Sequence, residues 1–89
     1  MTWRFRLTPE AERDIARLDT PIAARVKSRL AWFIEHADGT TPLPLSADLA
    51  GFFKLRAGDW RIVYSVDEEK ETMTIHGVEH RSKVYKRYS

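Results

Sequence analysis

The sequence predicts a single α+β domain, 1–89, in which one strand and an antiparallel pair of helices precede three antiparallel strands of the same sheet. Two patterns predict this order: apolar side chains alternate with polar ones at the start and in the second half, and they recur at helical spacing between those parts. A chain of 89 residues has enough apolar surface for one core only, and 43% hydrophobic with 31% charged residues is typical of a folded domain. We therefore expect neither a second domain nor intrinsic disorder.

The first strand and the first helix are predicted from the opening residues. Alternation over 2–7 places three apolar side chains on one face of a strand: Trp3, Phe5 and Leu7. Thr8 is a suitable N-cap, and Pro9 fits the first helical turn, where its missing N–H costs no hydrogen bond. We expect a short helix that ends near Leu18.

A second, longer helix follows directly. The start signal repeats at Asp19, Thr20 and Pro21, and apolar positions then follow helical spacing: Ile22, Val26, Leu30, Phe33 and Ala37. Gly39 is expected to end this helix. Because almost nothing joins the two helices, they should pair antiparallel and pack one apolar stripe on the sheet. Residues 38–50 are predicted to be a loop, and its leucines should contact the edge of the core: Leu43, Leu45 and Leu49.

A β-hairpin is predicted in the second half of the chain. Two alternating segments, 52–57 and 60–67, flank Gly58-Asp59, and glycine in the first position favours a type II′ turn. A two-residue turn places the large apolar side chains on one face: Phe53, Leu55, Trp60, Ile62, Tyr64 and Val66. A three-residue turn would mix charged and apolar side chains on both faces. A last strand over 72–78 follows the acidic turn and completes the sheet.

The other face of this hairpin carries three cations, Lys54, Arg56 and Arg61. Like charges opposite each other destabilise a sheet, so an anion between Arg56 and Arg61 would relieve their repulsion. Phosphate fits, because guanidinium groups bind its oxygens through paired hydrogen bonds and an ammonium adds a point charge. The alternative is a solvated face that binds nothing. The net charge of +2 is too small to attract nucleic acid by itself, so binding to nucleic acid would depend on this local cluster of cations.

The basic C-terminal segment, 80–89, adds candidates for chemistry, because it holds several Lys and Arg residues and no carboxylate. Arg81 and Tyr85 lie four residues apart and would share one side of a helical turn. Cations around a phenol favour its ionised form, so Tyr85 is a candidate general base; the alternative is an aromatic side chain that covers the core edge. His80, beside Arg81, is either a further group for proton transfer or a structural residue.

Composition excludes several classes of function. The chain has no cysteine, which excludes disulfides, thiolate metal sites and a cysteine nucleophile. Three histidines lack ligand-type spacing with carboxylates, so no metal site and no cofactor are expected: His36, His76 and His80. The sequence contains no Gly-rich phosphate loop, no run of 18 apolar residues and no signal-peptide pattern. These patterns lead us to expect a cytoplasmic protein without membrane contact.

Two segments resemble one known family, and the resemblance covers essentially the whole chain. Residues 53–64, FKLRAGDWRIVY, and residues 77–85, GVEHRSKVY, resemble the RelE/ParE superfamily of toxins from bacterial type II toxin–antitoxin systems. The closing His-Arg-x-x-Val-Tyr favours the RelE branch. The resemblance implies a RelE-like microbial RNase fold and a toxin that enters the ribosomal A site, cleaves mRNA and is neutralised by a cognate antitoxin. It implies contact with operator DNA only through the antitoxin complex.

The resemblance also implies a role for each matching side chain. Lys54 and Arg61 would hold and stabilise the scissile phosphate. Arg81 would assist the leaving oxygen, and Tyr85 would activate the ribose 2′-hydroxyl. The reaction would be a metal-independent transesterification that leaves a 2′,3′-cyclic phosphate and a 5′-hydroxyl, with cations stabilising the transition state. Further RNA- or phosphate-binding side chains are expected at three positions: Arg56, His80 and Lys83.

The chain departs from the family pattern at two points. Phe52 stands where some members carry a further lysine, so one phosphate contact is missing or replaced. The tail is shorter than in some relatives, which leaves Tyr88 as an alternative to Tyr85 for the base. The competing function is that of the ParE branch, which inhibits DNA gyrase without this catalytic set. A third interpretation is an inactive toxin fold that persists as a repressor component with its antitoxin.

Overall fold

The fold comprises five strands and three helices within the residues that the computed structural model describes, 4–36, 43–44 and 51–88. The bounds of these elements are β1 Arg4–Leu7, α1 Pro9–Ala16, α2 Thr20–Glu35, β2 Leu43–Pro44, β3 Phe53–Ala57, β4 Trp60–Asp67, β5 Thr72–His80 and α3 Val84–Arg87. The predicted α+β order is confirmed, and the structure adds β2 and α3 to it. No helix among the described residues is long and apolar enough to span a membrane.

All five strands form one sheet, in the order β1-β5-β4-β3-β2. β1 runs parallel to β5, and the other neighbouring strands are antiparallel. The predicted hairpin register is confirmed, since Leu55 lies opposite Ile62 and Arg56 lies opposite Arg61. Of the two turn residues between β3 and β4, only Gly58 has a positive φ, +63°, as a type II′ turn requires.

A β-bulge in β5 determines which of its side chains face the core. The register between β4 and β5 shifts by one residue after Val63, which leaves His76 as an extra residue in β5. Strict alternation would put Ile75 and Val78 on opposite faces, but with the bulge both are buried in the same core cluster. His76 and Gly77 are therefore both on the other face of the sheet.

The main core lies between one face of the sheet and the helices α1 and α2. Phe33 of α2 and Tyr64 of β4 are two of its largest buried side chains, and their ring centroids lie 4.9 Å apart. The buried members of this core are Ala11, Val26, Phe33, Leu55, Ala57, Ile62, Tyr64, Met73, Ile75 and Val78. Five residues of the predicted core and helix end lie outside the described ranges: Trp3, Ala37, Gly39, Leu45 and Leu49.

The predicted cap of the first helix is present. The backbone N–H of Ala11 donates a hydrogen bond to Thr8 Oγ1 at 3.1 Å. α1 ends at Ala16, earlier than the predicted end near Leu18, because the short connection to α2 already turns there. α2 begins at the predicted start signal, although Asp19 makes no side-chain capping hydrogen bond.

A second, smaller apolar cluster lies on the opposite face of the sheet. Val63 of β4 and Val84 of α3 are fully buried in it, and Phe52 and Tyr88 pack against them. The C-terminal turn is therefore folded onto the sheet by its own apolar side chains. This packing brings the turn next to the cations of β3 and β4.

Candidate functional site

A contact between Lys54 and Tyr85 is the centre of the site. Lys54 extends from β3 on the face opposite the main core, and Tyr85 extends from α3 toward it. Lys54 Nζ donates a hydrogen bond to Tyr85 Oη at 2.7 Å, and the same nitrogen lies 5.4 Å from the centroid of the phenol ring. Tyr85 is 42% exposed, so this contact lies at the protein surface. A cation and a phenol that sequence reasoning selected separately are thus in direct contact.

Arg56 and Arg61 complete the cationic face, which we define as Lys54, Arg56 and Arg61. The two arginines lie directly opposite each other on β3 and β4, as predicted. Arg61 Nη1 donates to the carbonyl oxygens of Gly58 and Trp60 at 2.8 and 3.0 Å, so its guanidinium is held against the hairpin turn. Arg56 is exposed. A guanidinium at the turn and another beside it form an accessible site for phosphate oxygens.

A carboxylate on the same face was missed by the sequence analysis. Glu79 of β5 lies opposite Arg61 of β4, and the predicted cluster took only β3 and β4 into account. Glu79 Oε2 lies 3.3 Å from Arg87 Nη1, so the cation that pairs with this carboxylate comes from α3. One edge of the cationic face therefore carries a carboxylate that is paired with its own arginine.

Two further predicted residues, Arg81 and Lys83, follow the end of β5 near the hairpin turn. Arg81 Nε is 3.6 Å from Asp59 Oδ1, and both side chains are more than 60% exposed. Because α3 starts only at Val84, Arg81 precedes the helical turn, and the predicted placement of Arg81 and Tyr85 on one side of a common turn is wrong. Lys83 is exposed at the N-terminal end of α3.

His80 is held in one orientation by its neighbours. The backbone N–H of Ser82 donates to Nδ1 of the ring at 3.2 Å, and Ser82 Oγ lies 2.8 Å from the same nitrogen. Since Nδ1 accepts a hydrogen bond, a neutral ring carries its proton on Nε2. The ring also packs edge-on against Trp60, with centroids 5.4 Å apart. His80 lies opposite Trp60, which packs against the main core, so the sequence expectation that His80 joins the cationic face is corrected: its side chain is on the helix-covered side of the sheet.

His76, the bulge residue, lies on the same side of the sheet as the cationic face. Its Nε2 lies 2.7 Å from Ser65 Oγ, and its ring packs edge-on against Phe52 with centroids 5.2 Å apart. Burial lowers the pKa of His76, and the charge of Glu10 offsets part of this effect. Its contacts are with Ser65 and Phe52, at the apolar end of this face.

Tyr88 and Phe52 have structural positions. The hydroxyl of Tyr88 is buried against Gly77 and has no hydrogen-bond partner among the described residues. Burial raises the pKa of Tyr88, although the nearby charge of Arg87 lowers it in part. Phe52 packs against Val63, Val84 and Tyr88, so the position where some family members carry lysine is here part of an apolar cluster. Of the two candidate tyrosines, Tyr85 is the accessible one.

Asp14 and Arg87 form an ion pair at the free edge of β5, which we call the edge ion pair. β1 pairs with β5 only as far as Ile75, so the backbone of Val78 faces an open edge. Asp14 Oδ2 accepts from Val78 N–H at 2.9 Å and lies 2.8 Å from Arg87 Nη1, which in turn lies 3.4 Å from the carbonyl oxygen of Val78. No sequence signal relates Asp14 to Arg87, because Asp14 resembles any acidic residue of an amphipathic helix.

The edge ion pair is less exposed than an ordinary surface pair. The side chains of Asp14 and Arg87 are 13% and 30% exposed. Burial lowers the pKa of Arg87, but its hydrogen bonds to Asp14 and Glu79 outweigh this effect and raise it. No group of His, Asp and Glu side chains in the described part of the chain is arranged to hold a metal ion.

The fold and the cationic face together define a small α+β domain with lysine, arginine and tyrosine side chains on an open sheet surface. A family model described as the ParE toxin of the type II toxin–antitoxin system parDE matches residues 5–85. The chain therefore belongs to the RelE/ParE family of type II toxins.

Relatives in one organism agree with this assignment. Toxin RelG of Mycobacterium tuberculosis is 33% identical over 98% of this chain and 100% of its own length. Toxin RelE of the same organism is 31% identical over 94% of this chain and 87% of its own. In the solved toxin–antitoxin complex RelBE2 of M. tuberculosis, one chain is 32% identical and matches with a TM-score of 0.76 over 91% of this chain and 100% of that chain.

Proposed function

We propose that this toxin is a ribosome-dependent endoribonuclease that cleaves mRNA in the ribosomal A site without a metal ion. The observation that carries the proposal is the 2.7 Å hydrogen bond between Lys54 and Tyr85 on a face that also holds Arg56 and Arg61. A phenol held by an ammonium and open to solvent, beside guanidinium groups, combines a proton acceptor with phosphate ligands.

In the proposed mechanism, Tyr85 in its phenolate form accepts the proton of a ribose 2′-hydroxyl, and Lys54 stabilises that phenolate by its hydrogen bond. The 2′-oxygen forms a bond to the adjacent phosphorus, and the bond from phosphorus to the 5′-oxygen breaks. The products are a 2′,3′-cyclic phosphate and a 5′-hydroxyl, whose proton comes from solvent. Arg61 stabilises the additional negative charge on the phosphate oxygens.

Arg81 acts on the leaving 5′-oxygen in this proposal, and its ion pair with Asp59 is exposed enough to open at little cost. Arg56 and Lys83 bind flanking phosphates of the RNA in this proposal, whereas His80 faces the opposite side of the sheet and takes no part. The site uses no cofactor.

The proposed partner is a cognate antitoxin that neutralises the toxin, and the complex contacts operator DNA only through the antitoxin. The solved M. tuberculosis relative is a toxin–antitoxin complex, which supports this partner. Leu7 and Ile34 are 40% and 48% exposed, so apolar surface for a protein partner is present among the described residues. A cytoplasmic location agrees with a ribosomal target.

The second candidate is a toxin that inhibits DNA gyrase and cuts no RNA. The matching family model, described as a ParE toxin, favours this alternative. The cationic face would then be incidental to toxicity. A toxin fold without activity, kept as a repressor component with the antitoxin, is the third candidate; it predicts normal growth when the chain is expressed alone.

The deciding experiment expresses the toxin without its antitoxin and maps mRNA 5′ ends in cells that carry the native chain, Tyr85→Phe, Tyr88→Phe or the double variant Arg61→Ala, Tyr85→Phe. The native chain and Tyr88→Phe should produce new cuts in phase with codons. Tyr85→Phe should reduce them by at least about 100-fold, since general-base catalysis contributes factors of this size.

A parallel assay measures gyrase supercoiling with the purified toxin. Growth arrest without codon-phased cuts, together with inhibited supercoiling, would replace the nuclease proposal with the gyrase alternative. Cuts that persist in the double variant would show that the side chains of the cationic face do not catalyse the cleavage.

A further inference from the structure

We propose that the edge ion pair, Asp14 with Arg87, positions Tyr85 for catalysis by fixing the orientation of α3 on the sheet. The inference rests on the proposed endonuclease function, in which the Tyr85 hydroxyl must stay at Lys54. Arg87 and Asp14 touch no substrate in this arrangement. They act through Tyr85, as positioning residues.

The helical turn that carries Tyr85 cannot hold its own shape. α3 comprises only Val84–Arg87, and one turn of helix fixes several backbone dihedrals for very few hydrogen bonds. Tyr85 is 42% exposed, and its hydrogen bond to Lys54 is an exposed contact between two side chains. The position of Tyr85 is therefore set by the residues that attach α3 to the rest of the protein.

The turn is attached through Val84, Tyr88 and Arg87, and these side chains differ in what they fix. Val84 and Tyr88 pack in the apolar cluster on Val63, and apolar contact holds a turn against a surface without fixing its rotation. Arg87 makes directional, charge-assisted contacts with Asp14 and Glu79. The ionic contacts are therefore what sets the rotation of the turn.

The helical geometry couples Arg87 to Tyr85. Residues two positions apart in an α-helix point about 200° apart around its axis. Tyr85 accordingly extends toward Lys54 of β3, while Arg87 extends toward the free edge of β5, with the apolar cluster on β4 between them. A rotation that releases Arg87 from the edge must also move the Tyr85 hydroxyl relative to Lys54.

The edge ion pair also takes the place of a neighbouring strand. Asp14 accepts the N–H of Val78, and Arg87 approaches the carbonyl of the same residue, where β1 no longer pairs with β5. Backbone groups without a partner are costly when buried, and so is a partly buried carboxylate that loses its cation. By contrast, the pair of Arg13 with Glu10 in α1 is 3.7 Å long and about 60% exposed, which makes it a suitable control.

The test compares Arg87→Gln, Arg87→Lys and Asp14→Asn with the control Arg13→Gln in a reconstituted ribosomal cleavage assay. Asp14→Asn keeps an oxygen for the N–H of Val78 but removes the charge that holds Arg87. We expect kcat to fall by about 10- to 100-fold in Arg87→Gln and Asp14→Asn with KM nearly unchanged, because a misplacement of the reacting group by about 1 Å costs this much. Arg87→Lys should recover part of kcat, and Arg13→Gln should resemble the native chain.

A second readout is independent of cleavage: hydrogen exchange at the backbone amides of Arg87 and Tyr88, which donate to Lys83 and Val84 at 3.0 and 3.2 Å. These amides should exchange at least tenfold faster in Arg87→Gln, while amides of β4 keep their native rates. The double variant Asp14→Asn, Arg87→Gln should lose no more kcat than the stronger single variant, because both act on one contact.

The outcomes separate this inference from the proposed function. Unchanged exchange and unchanged kcat in a folded Arg87→Gln protein would overturn the positioning role, and so would a loss of kcat that merely follows the fraction unfolded in a thermal melt. If the native chain does not cleave mRNA, the proposed function fails. The exchange data would still test whether Arg87 attaches α3 to the sheet. Native-like exchange in Arg87→Gln would refute that attachment, and faster exchange would support it.

Discussion

Gly77 and Tyr88 provide a direct test of how α3 is packed. Gly77 lies in β5 on the face covered by the C-terminal turn, and its φ is not positive, so the backbone there accepts alanine. A Cβ at this position would collide with the hydroxyl of Tyr88 and would lie 2.9 and 3.0 Å from Asp14 Oδ2 and Arg87 Nη2. Gly77→Ala therefore pushes against the Tyr88 hydroxyl and both members of the edge ion pair.

The expected magnitude follows from these contacts. Overpacking by one methyl group costs about 1–3 kcal/mol, and the reduced freedom of the unfolded chain returns about 0.4–1 kcal/mol. We expect Gly77→Ala to lower the free energy of unfolding by about 1–2 kcal/mol. Tyr88→Phe removes a buried hydroxyl that lacks a partner, so it should be neutral or stabilising by up to about 1 kcal/mol.

The double variant Gly77→Ala, Tyr88→Phe gives the sharper test. The new methyl group can occupy the space that the hydroxyl leaves. When Tyr88→Phe is already present, Gly77→Ala should therefore lower the free energy of unfolding by less than about 1 kcal/mol. The coupling energy between the two substitutions should be about 1 kcal/mol. Urea unfolding followed by tryptophan fluorescence measures all four proteins of the cycle at constant m-value. Additive effects, or a Tyr88→Phe protein that is less stable than the native chain by more than about 1 kcal/mol, would refute this account of the packing.

Three further predictions concern other contacts. Thr8→Ala removes both the cap of α1 and the hydrogen bond from Thr8 Oγ1 to His76 O, so thermal unfolding should show a loss of about 1–2 kcal/mol that Thr8→Ser restores. Ile62→Ala empties space in the fully buried core and should cost about 2–5 kcal/mol in urea unfolding, whereas the exposed Ile34→Ala should cost less than about 1 kcal/mol. Burial lowers the pKa of His76, so the unfolded chain binds a proton near pH 6.5 that the folded chain binds only at lower pH. The free energy of unfolding, measured by urea unfolding at several pH values, should therefore fall as the pH drops through about 6.5, and it should fall less in His76→Gln.

The hairpin could be predicted from the sequence because only one register satisfies its pattern. A slip of one residue would exchange the apolar side chains of Leu55 and Ile62 for the charges of Arg56 and Arg61 on the core face. The glycine at the first turn position fixes the same register independently. The agreement of two local signals explains why the cationic face was predicted with the correct members.

The β-bulge and the edge ion pair could not be predicted in this way. Alternation places side chains correctly only while a strand stays regular, and the extra residue His76 reverses the facing of every position after it in β5. Glu79, which lies beside the cationic face, was missed because the predicted cluster took only β3 and β4 into account and the predicted last strand ended at Val78. The ion pair between Asp14 and Arg87 joins segments near the two ends of the chain, and no local sequence pattern predicts such a contact.

Three residues of α3 and Tyr88, which follows it, contact different parts of the protein. Val84 and Tyr88 hold the turn on the sheet, Arg87 ties it to the edge of β5, and Tyr85 alone extends toward Lys54. Loss of activity in most tail variants therefore reports displacement of the turn as readily as lost chemistry. Tyr85→Phe keeps the ring, the exposed position and all three attachments, so the activity it loses, at native stability, measures what the hydroxyl contributes to catalysis.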